Sequence, residues 1–160
     1  MAPPRLWEHT LSASFTRPGD TTQYAAGDLV ANSTTAGSVE QMEWEFENEI
    51  WLRRVRIHKS GAATTNASFR LWLHSDSAVT FANGDNGALS LTGLAIGDVI
   101  DGFAVTLAAG ATGVGALGSA NYERGAYRLP KNVYGFLEAA AGYTPGNAEV
   151  FSVTLFGETY

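Results

Sequence analysis

The chain has 160 residues, 18 of them glycine, no cysteine, and 16% charged residues, against roughly 25% in an average soluble domain. This composition argues against a coiled coil, a disulfide scaffold and, with 45% hydrophobic residues, a disordered chain. The net charge of −6 argues against nucleic acid as a partner, since such binding needs clustered Lys and Arg. No apolar run reaches the roughly 18 residues of a membrane helix, so we expect no membrane partner.

Apolar and polar residues alternate along most of the chain, which is the period of β-strands. We expect an extended N-terminal arm at residues 1–9 and a single domain at residues 10–160. Alternation predicts strands, in chain order, at 11–16, 28–31, 42–46, 55–57, 67–74, 99–107, 122–129, 133–139 and 149–156. About eight short strands with polar turns and no helix pattern predict an all-β antiparallel sandwich or barrel.

Glycine-rich segments separate several of these strands. Residues 110–118 predict a loop, and the segment Gly142–Gly146 predicts a hairpin connection between the last two strands. The run from Gly113 to Gly118 matches the dinucleotide pattern G-x-G-x-x-G. That pattern binds pyrophosphate only where a helix follows it, and here a strand-like stretch follows. We therefore predict no cofactor.

Charge is concentrated in one part of the chain. Five of the sixteen acidic residues lie between Glu40 and Glu49, and four of the ten basic residues lie between Arg53 and Lys59. A tight turn at 48–49 would fold the two segments into a hairpin with one apolar and one charged face. In that register the apolar face carries Met42, Trp44, Phe46, Trp51, Val55 and Ile57, with Arg53 among them. The charged face carries Glu43, Glu45, Glu47, Arg54, Arg56 and His58, with Ile50 and Leu52 near the turn.

Two interpretations of the charged face remain open. It is a solvated strand face whose cross-strand ion pairs contribute about 0.2–1 kcal/mol each, or it is a subunit contact. In the second case the three glutamates, about 7 Å apart along one strand, favour a basic partner such as Arg54 and Arg56 of another copy. Three carboxylates on one strand diverge, which argues against a metal site. With Trp7 of the arm, the six charged-face residues are the candidate interaction residues.

Catalytic patterns are weak in this sequence. The three histidines, His9, His58 and His74, are not at metal-ligand spacing, and no G-x-S-x-G motif is present. No pair of acidic residues stands out as a glycosidase pair. We therefore predict a non-enzymatic protein without catalytic or metal-binding residues. Trp7, Trp44, Trp51 and Trp72 form either a sugar-stacking platform or, as is commoner, core and interface anchors.

Several stretches between residues 11 and 155 share one pattern of strands and turns. They read SASFTRPGDTT at 12–22, YAAGDLV at 24–30, RVRIHKS at 54–60, TNASFRL at 65–71, VYGFL at 133–137, GYTP at 142–145 and EVFSV at 149–153. Together they resemble a group of tailed-bacteriophage virion proteins. The chain departs from that pattern in the glutamate-rich stretch 40–49 and in the loop 108–118, where partner specificity is expected.

The resemblance implies a jelly-roll head decoration, or cement, protein. Such a protein sits on the exterior of an icosahedral capsid, binds the major capsid protein and stabilises the assembled shell, after synthesis in the host cytoplasm. It also implies a homo-oligomer, with a trimer at local three-fold positions favoured, and no cofactor. The alternative is a carbohydrate-binding or host-adhesion module of a phage tail, in which exposed tryptophans would stack on sugars.

Overall fold

The computed structural model describes residues 7–159, without the side chain of Trp7. This part of the chain contains strands and two single-turn 3₁₀ segments, Ala36–Ser38 and Ile96–Asp98. The strands are β1 (Trp7–Thr16), β2 (Leu29–Val30), β3 (Met42–Glu45), β4 (Ile50–Lys59), β5 (Ser68–His74), β6 (Thr80–Phe81), β7 (Leu91–Thr92), β8 (Val99–Thr106), β9 (Ala108–Ala109), β10 (Ala116–Asn121), β11 (Arg128–Leu129), β12 (Asn132–Ala139) and β13 (Val150–Thr159).

The first sheet has the strand order β1-β13-β4-β10-β9, and β11 pairs with the start of β4. All of its pairs are antiparallel. Its register places Ser12, Thr154, Arg56 and Ser119 in one row across four strands. The second sheet has the order β2-β12-β5-β8, with β3 also paired to β12, and is likewise antiparallel.

Eight of the strands in the described part of the chain have four or more residues. Four of them give the order β1-β13-β4-β10 in the first sheet, and the other four give β3-β12-β5-β8 in the second. Numbered along the chain, these orders are 1-8-3-6 and 2-7-4-5, which is the double Greek key of a jelly roll. The all-β sandwich predicted from the alternation and the resemblance is therefore confirmed.

The core lies between the two sheets and is built from the inward positions of each strand. Val55 and Ile57 of the first sheet and Phe69, Leu71 and Leu73 of the second have no exposed surface. Alternation produces this directly, because residues two apart on a strand share one face. Trp44 is also fully buried, and its indole N–H donates a hydrogen bond of 3.2 Å to the Val153 carbonyl, joining the two sheets.

A smaller apolar layer covers part of the outer face of the second sheet. The segment between β5 and β8 leaves the sandwich, forms the β6–β7 hairpin and packs back on that face. Phe81 of this hairpin meets Phe136 of β12 edge to face, with ring centroids 5.6 Å apart. This layer shields the outward side chains at one end of β5 and β12 from solvent.

The predicted hairpin at residues 42–58 is wrong. β3 pairs with β12 in the second sheet, whereas β4 pairs with β13, β10 and β11 in the first. The turn at 48–49 therefore crosses from one sheet to the other. Alternation could not distinguish these cases, because an apolar face buried in a hairpin and one buried between two sheets have the same period.

Other connections also differ from the sequence predictions. The segment 142–146 is not a hairpin turn, because β12 and β13 belong to different sheets. Instead of one strand at 122–129, the structure has β10, which begins inside the predicted loop at Ala116, and the short β11. Residues 7–9 of the predicted arm belong to β1 and pair with β13, while residues 1–6 lie outside the described residues.

Candidate functional site

Two glutamates of the candidate set, Glu43 and Glu45, lie on the outside of the second sheet in β3, and Glu47 lies in the bend that follows this strand. Glu43, Glu45 and Glu47 are all exposed, and we call them the acidic stripe. Glu43 stands opposite Tyr134 of β12, and the Glu45 carboxylate lies 3.7 Å from the Lys131 ammonium. Both partners of that ion pair are more than half exposed, so the contact contributes little to stability.

The basic members of the set lie on the outer face of the first sheet. The guanidinium groups of Arg54 and Arg56 lie 4.0 Å and 5.2 Å from the ring centroid of Phe156. His58 contacts the Val114 carbonyl through Nε2 at 2.6 Å. The structure thus brings each half of the candidate set together but places the halves on different sheets. The side chain of Trp7, the remaining candidate, lies outside the described residues.

A β-bulge adds Arg53 to this face. Phe156 pairs with Arg54 but the next residue, Gly157, pairs with Leu52, so β4 has one extra residue at position 53. The bulge shifts the phase of β4: Ile50 and Leu52 are buried before it, and Val55 and Ile57 after it. Our prediction that Ile50 and Leu52 share the charged face and that Arg53 shares the apolar face is therefore wrong. We call Arg53, Arg54 and Arg56 the arginine face.

The arginine face borders an open cleft of about 380 Å³. The cleft lies where β1 begins and β13 ends, and Arg53 and Arg54 form part of its wall. Burial raises the pKa of the Tyr122 phenol in this wall to about 12, with a smaller effect of Tyr127, so the phenol is neutral at physiological pH. The remaining lining residues are Glu8, His9, Thr10, Asn121, Phe156, Gly157 and Glu158.

Hydrogen-bond donors in this cleft are left unused. Arg53 Nη1, Arg54 Nε and the acceptor oxygen Glu158 Oε1 are buried atoms without a hydrogen-bond partner among the described residues. Glu158 lies 3.1 Å from Arg124 Nε and 3.7 Å from Arg53 Nε, so it balances part of the positive charge. The geometry suits a ligand that supplies acceptor oxygens, such as a carboxylate, which arginine binds through two N–H groups at once.

The opposite end of the first sheet contains a buried ion pair. The side chains of Arg17 and Asp85 have no exposed surface, and Arg17 Nη2 lies 2.7 Å from Asp85 Oδ2. Asp85 Oδ1 accepts hydrogen bonds from the Tyr24 hydroxyl at 2.6 Å and from the Ala31 N–H at 2.8 Å. Burial, reinforced by the neighbouring Asp85 carboxylate, raises the pKa of Tyr24 well above its usual value.

A second buried pair lies beside the first. Lys59 Nζ is 3.0 Å from Glu149 Oε1, and Glu149 Oε2 accepts a hydrogen bond of 2.6 Å from the Tyr143 hydroxyl. Burial and the bond to Glu149 raise the pKa of Tyr143. The rings of Tyr24 and Tyr143 are stacked with centroids 6.3 Å apart, which joins the two pairs. We call the six residues Arg17, Tyr24, Asp85, Lys59, Tyr143 and Glu149 the buried network.

Sequence reasoning missed the buried network, although a signal for half of it was present. Arg17 follows the inward-facing residues Leu11, Ala13 and Phe15 at the same two-residue spacing. Lys59 follows Val55 and Ile57 in the same way. A charge in phase with buried apolar residues requires a buried counter-charge. Nothing in the sequence indicated that Asp85, in an Asn-Gly turn, supplies one of these counter-charges.

The three tryptophans whose side chains are described do not form a common platform. Trp44 is in the core, and Trp51 and Trp72 lie on the outer faces of different sheets. The Trp72 indole N–H donates to Glu138 Oε2 at 2.6 Å, and the Arg70 guanidinium lies over its ring, 5.5 Å from the centroid. A Cβ on Gly102 would come within 2.9 Å of the indole, so the ring packs closely on the backbone of β8.

The described residues hold no group of three or more His, Cys, Asp or Glu side chains that could bind a metal. Comparison with protein-family models and with curated proteins finds no match to this chain. Within residues 7–159, no helix has the length and apolar character needed to cross a membrane.

Proposed function

We propose that this chain is a non-enzymatic structural protein of a tailed-phage virion, a head decoration protein that binds the outside of the assembled capsid. The observation that carries the proposal is which stretches of the chain supply the residues of the buried network. Five of the stretches that resemble phage virion proteins each contribute one of its residues: Arg17, Tyr24, Lys59, Tyr143 and Glu149. Stretches far apart in the chain thus meet in one fold-determining cluster, which supports a resemblance of the whole fold.

The topology supports the same proposal. Eight-stranded jelly rolls are common in viral capsid and lectin domains. A fold alone does not define a function, so the chemistry of the sites has to agree with it. Here the buried carboxylates Asp85 and Glu149 are each held by a cation and a tyrosine, whereas the arginine face lies on the outside of the first sheet and is only partly buried. That distribution favours binding over acid–base chemistry.

Binding to the assembled shell explains how such a protein stabilises a capsid. A ligand that binds only the expanded shell stabilises it by linkage, by about 2.7 kcal/mol per site when its free concentration is 100 times its Kd. Self-association, with a trimer at the local three-fold positions as the favoured state, would add multivalency to individually weak contacts with the major capsid protein. The proposed location is therefore the capsid exterior.

The test is binding to heads of the phage that encodes the chain. Purified protein is mixed with expanded heads that lack it and, as the control, with unexpanded proheads, and both samples are pelleted and imaged by electron cryomicroscopy. We expect regular density on the outside of the expanded heads and a higher temperature of head disruption. Absence from heads at saturating concentration, or density on tails alone, would contradict the proposal.

The carbohydrate-binding alternative has its own measurement. Titration with host surface glycans should leave the tryptophan fluorescence unchanged if the protein is a head decoration protein. A saturable shift that is lost in Trp72→Ala but retained in Trp51→Ala would favour the adhesion module instead.

A further inference from the structure

The arginine face has hydrogen-bond donors that the described part of the chain does not satisfy. Each guanidinium carries five N–H donors, and Arg53 and Arg54 each leave a buried nitrogen without an acceptor among the described residues. Stacking on Phe156, with the guanidinium 4.0 Å from the ring centroid, fixes Arg54 in place. A fixed guanidinium with unused donors loses little conformational entropy when an acceptor arrives.

The sign of the local charge defines the chemistry of the occupant. The whole chain has a net charge of −6, yet Arg53 and Arg54 line the cleft, and Arg56 and Arg124 contact its lining residues Phe156 and Glu158. Their counter-charges in the cleft are Glu8 and Glu158, and Glu158 is already shared between Arg53 and Arg124. An excess of positive charge on an acidic protein attracts a segment that carries several carboxylates.

The acidic stripe has the matching chemistry and the matching spacing. Glu43, Glu45 and Glu47 are exposed, and Glu47 has no ion pair within the described part of the chain. Glu43 and Glu45 are alternate residues of β3, so they lie about 7 Å apart on one side of the strand, and Glu47 lies in the bend after it. Arg54 and Arg56 follow the same two-residue period on β4. The carboxylates of Glu43 and Glu45 in one copy can therefore each oppose one guanidinium group, of Arg54 or Arg56, in another copy.

The two surfaces cannot meet within one copy. β3 lies in the second sheet and β4 in the first, and both sets of charged side chains point away from the core between the sheets. Two packed sheets are about 10 Å apart, with the core between them. The ion pairs that the sequence suggested inside a hairpin are thus available only between molecules.

We propose that the acidic stripe of one copy docks on the arginine face of a second copy. The inference deepens the self-association within the proposed function and rests on it. Because the two surfaces differ, the contact is head-to-tail, and repetition of it gives a ring where the rotation closes. The contact places carboxylates against the solvent-accessible parts of the Arg53 and Arg54 side chains, where charge-assisted hydrogen bonds can form.

The test uses two charge-reversed variants that need no knowledge of the register. The basic variant carries Glu43→Arg and Glu45→Arg, and the acidic variant carries Arg54→Glu and Arg56→Glu. In each, the two docking surfaces have the same sign, so self-association measured by sedimentation equilibrium should weaken at least about tenfold. In an equimolar mixture, the native arginine face of the basic variant meets the native acidic stripe of the acidic variant, and the reversed surfaces also match. Association should return to within about threefold of the original chain.

A matched control separates docking from net charge. Glu40→Arg with Glu123→Arg makes the same change in net charge as the basic variant but outside the acidic stripe, and this control should self-associate like the original chain. Near-ultraviolet circular dichroism confirms that each variant is folded. A chain that is monomeric at low salt, a reversed variant that still associates normally, or a mixture that stays monomeric would overturn the proposal. The measurements contain no capsid, so failure of head binding leaves their outcome unaffected.

Discussion

The two ends of the first sheet use cationic side chains in opposite ways. At one end Arg17 and Lys59 are fully buried, and each meets a carboxylate and lies near a tyrosine. At the other end Arg53 and Arg54 border an open cleft and retain unused donors. The same strands, β1, β4 and β13, contribute to both ends.

Fold-determining charges and binding charges therefore differ in the origin of their partners. A buried cation without a partner is strongly destabilising, so the partners at the buried end come from the chain itself. A half-buried arginine at the surface keeps water as an alternative partner and is available to another molecule. The comparison predicts large stability effects at the buried network and small ones at the arginine face.

The largest effect is expected for Asp85→Ala. This change leaves Arg17 buried without its counter-charge, and it should lower the free energy of unfolding by about 3–5 kcal/mol. Urea unfolding followed by tryptophan fluorescence measures the loss. The control is Asp20→Ala, because Asp20 also contacts Arg17 but at 3.4 Å and with a third of its side chain exposed. That variant should lose less than about 1 kcal/mol, and equal losses would remove the distinction between the two ends.

The bulge behind the arginine face can be tested at Gly157. A Cβ there would lie 2.2 Å from Ile50 Cδ1, so Gly157→Ala should lower the free energy of unfolding by about 1–3 kcal/mol. Ile50→Val removes that methyl group. The double variant should therefore be more stable than the sum of the two single changes predicts. Simple additivity in urea unfolding would show that this contact does not constrain the bulge.

His74 tests how a buried titratable side chain without an ion pair affects stability. It packs between Tyr134 and Phe136, and burial lowers its pKa, against smaller opposing effects of Asp76 and Asp98. The unfolded chain then binds more protons below about pH 6.5, so stability should fall as the pH is lowered through that range. His74→Gln should flatten this dependence in urea unfolding between pH 7.5 and 5.5. If the substitution leaves the dependence of the free energy of unfolding on pH unchanged, other groups cause that dependence.

The smallest effect on stability is expected for Arg54→Ala. Its main partner is the ring of Phe156, and a cation–π contact at a solvent-accessible site is worth about 0.5–1 kcal/mol. The free energy of unfolding should change by no more than that, while self-association weakens. Thermal unfolding and sedimentation on the same sample measure both quantities. A stability loss comparable to that of Asp85→Ala would place Arg54 with the fold-determining charges.

Much of the strand layout could be predicted from alternation. The expected strand at 133–139 corresponds to β12, and the one at 149–156 to β13. β10 was missed because its sequence, ALGSAN, is rich in small residues and lacks β-branched ones. The structure explains that composition, since a Cβ on Gly118 would come within 2.2 Å of the Thr106 carbonyl oxygen. Close approach of the two sheets at this edge requires glycine.

The candidate site was predictable in its residue types but not in its arrangement. Arg54, Arg56 and the acidic stripe were named from charge clustering alone. Arg53 was placed on the wrong face because one inserted residue reverses the phase of β4. The interaction role of these residues, the virion location and the capsid partner remain predictions that the experiments above test.

The order of amino acids alone specifies which side of most strands is buried, because the two-residue period depends only on neighbours along the chain. The low charge and the high glycine content of the sequence also suit a sandwich of short strands. Three outcomes are visible only in the folded chain: β3 and β4 belong to different sheets, Asp85 meets Arg17, and two nitrogens of the arginine face lack an acceptor among the described residues. Those outcomes depend on pairings between distant strands, which alternation leaves undetermined.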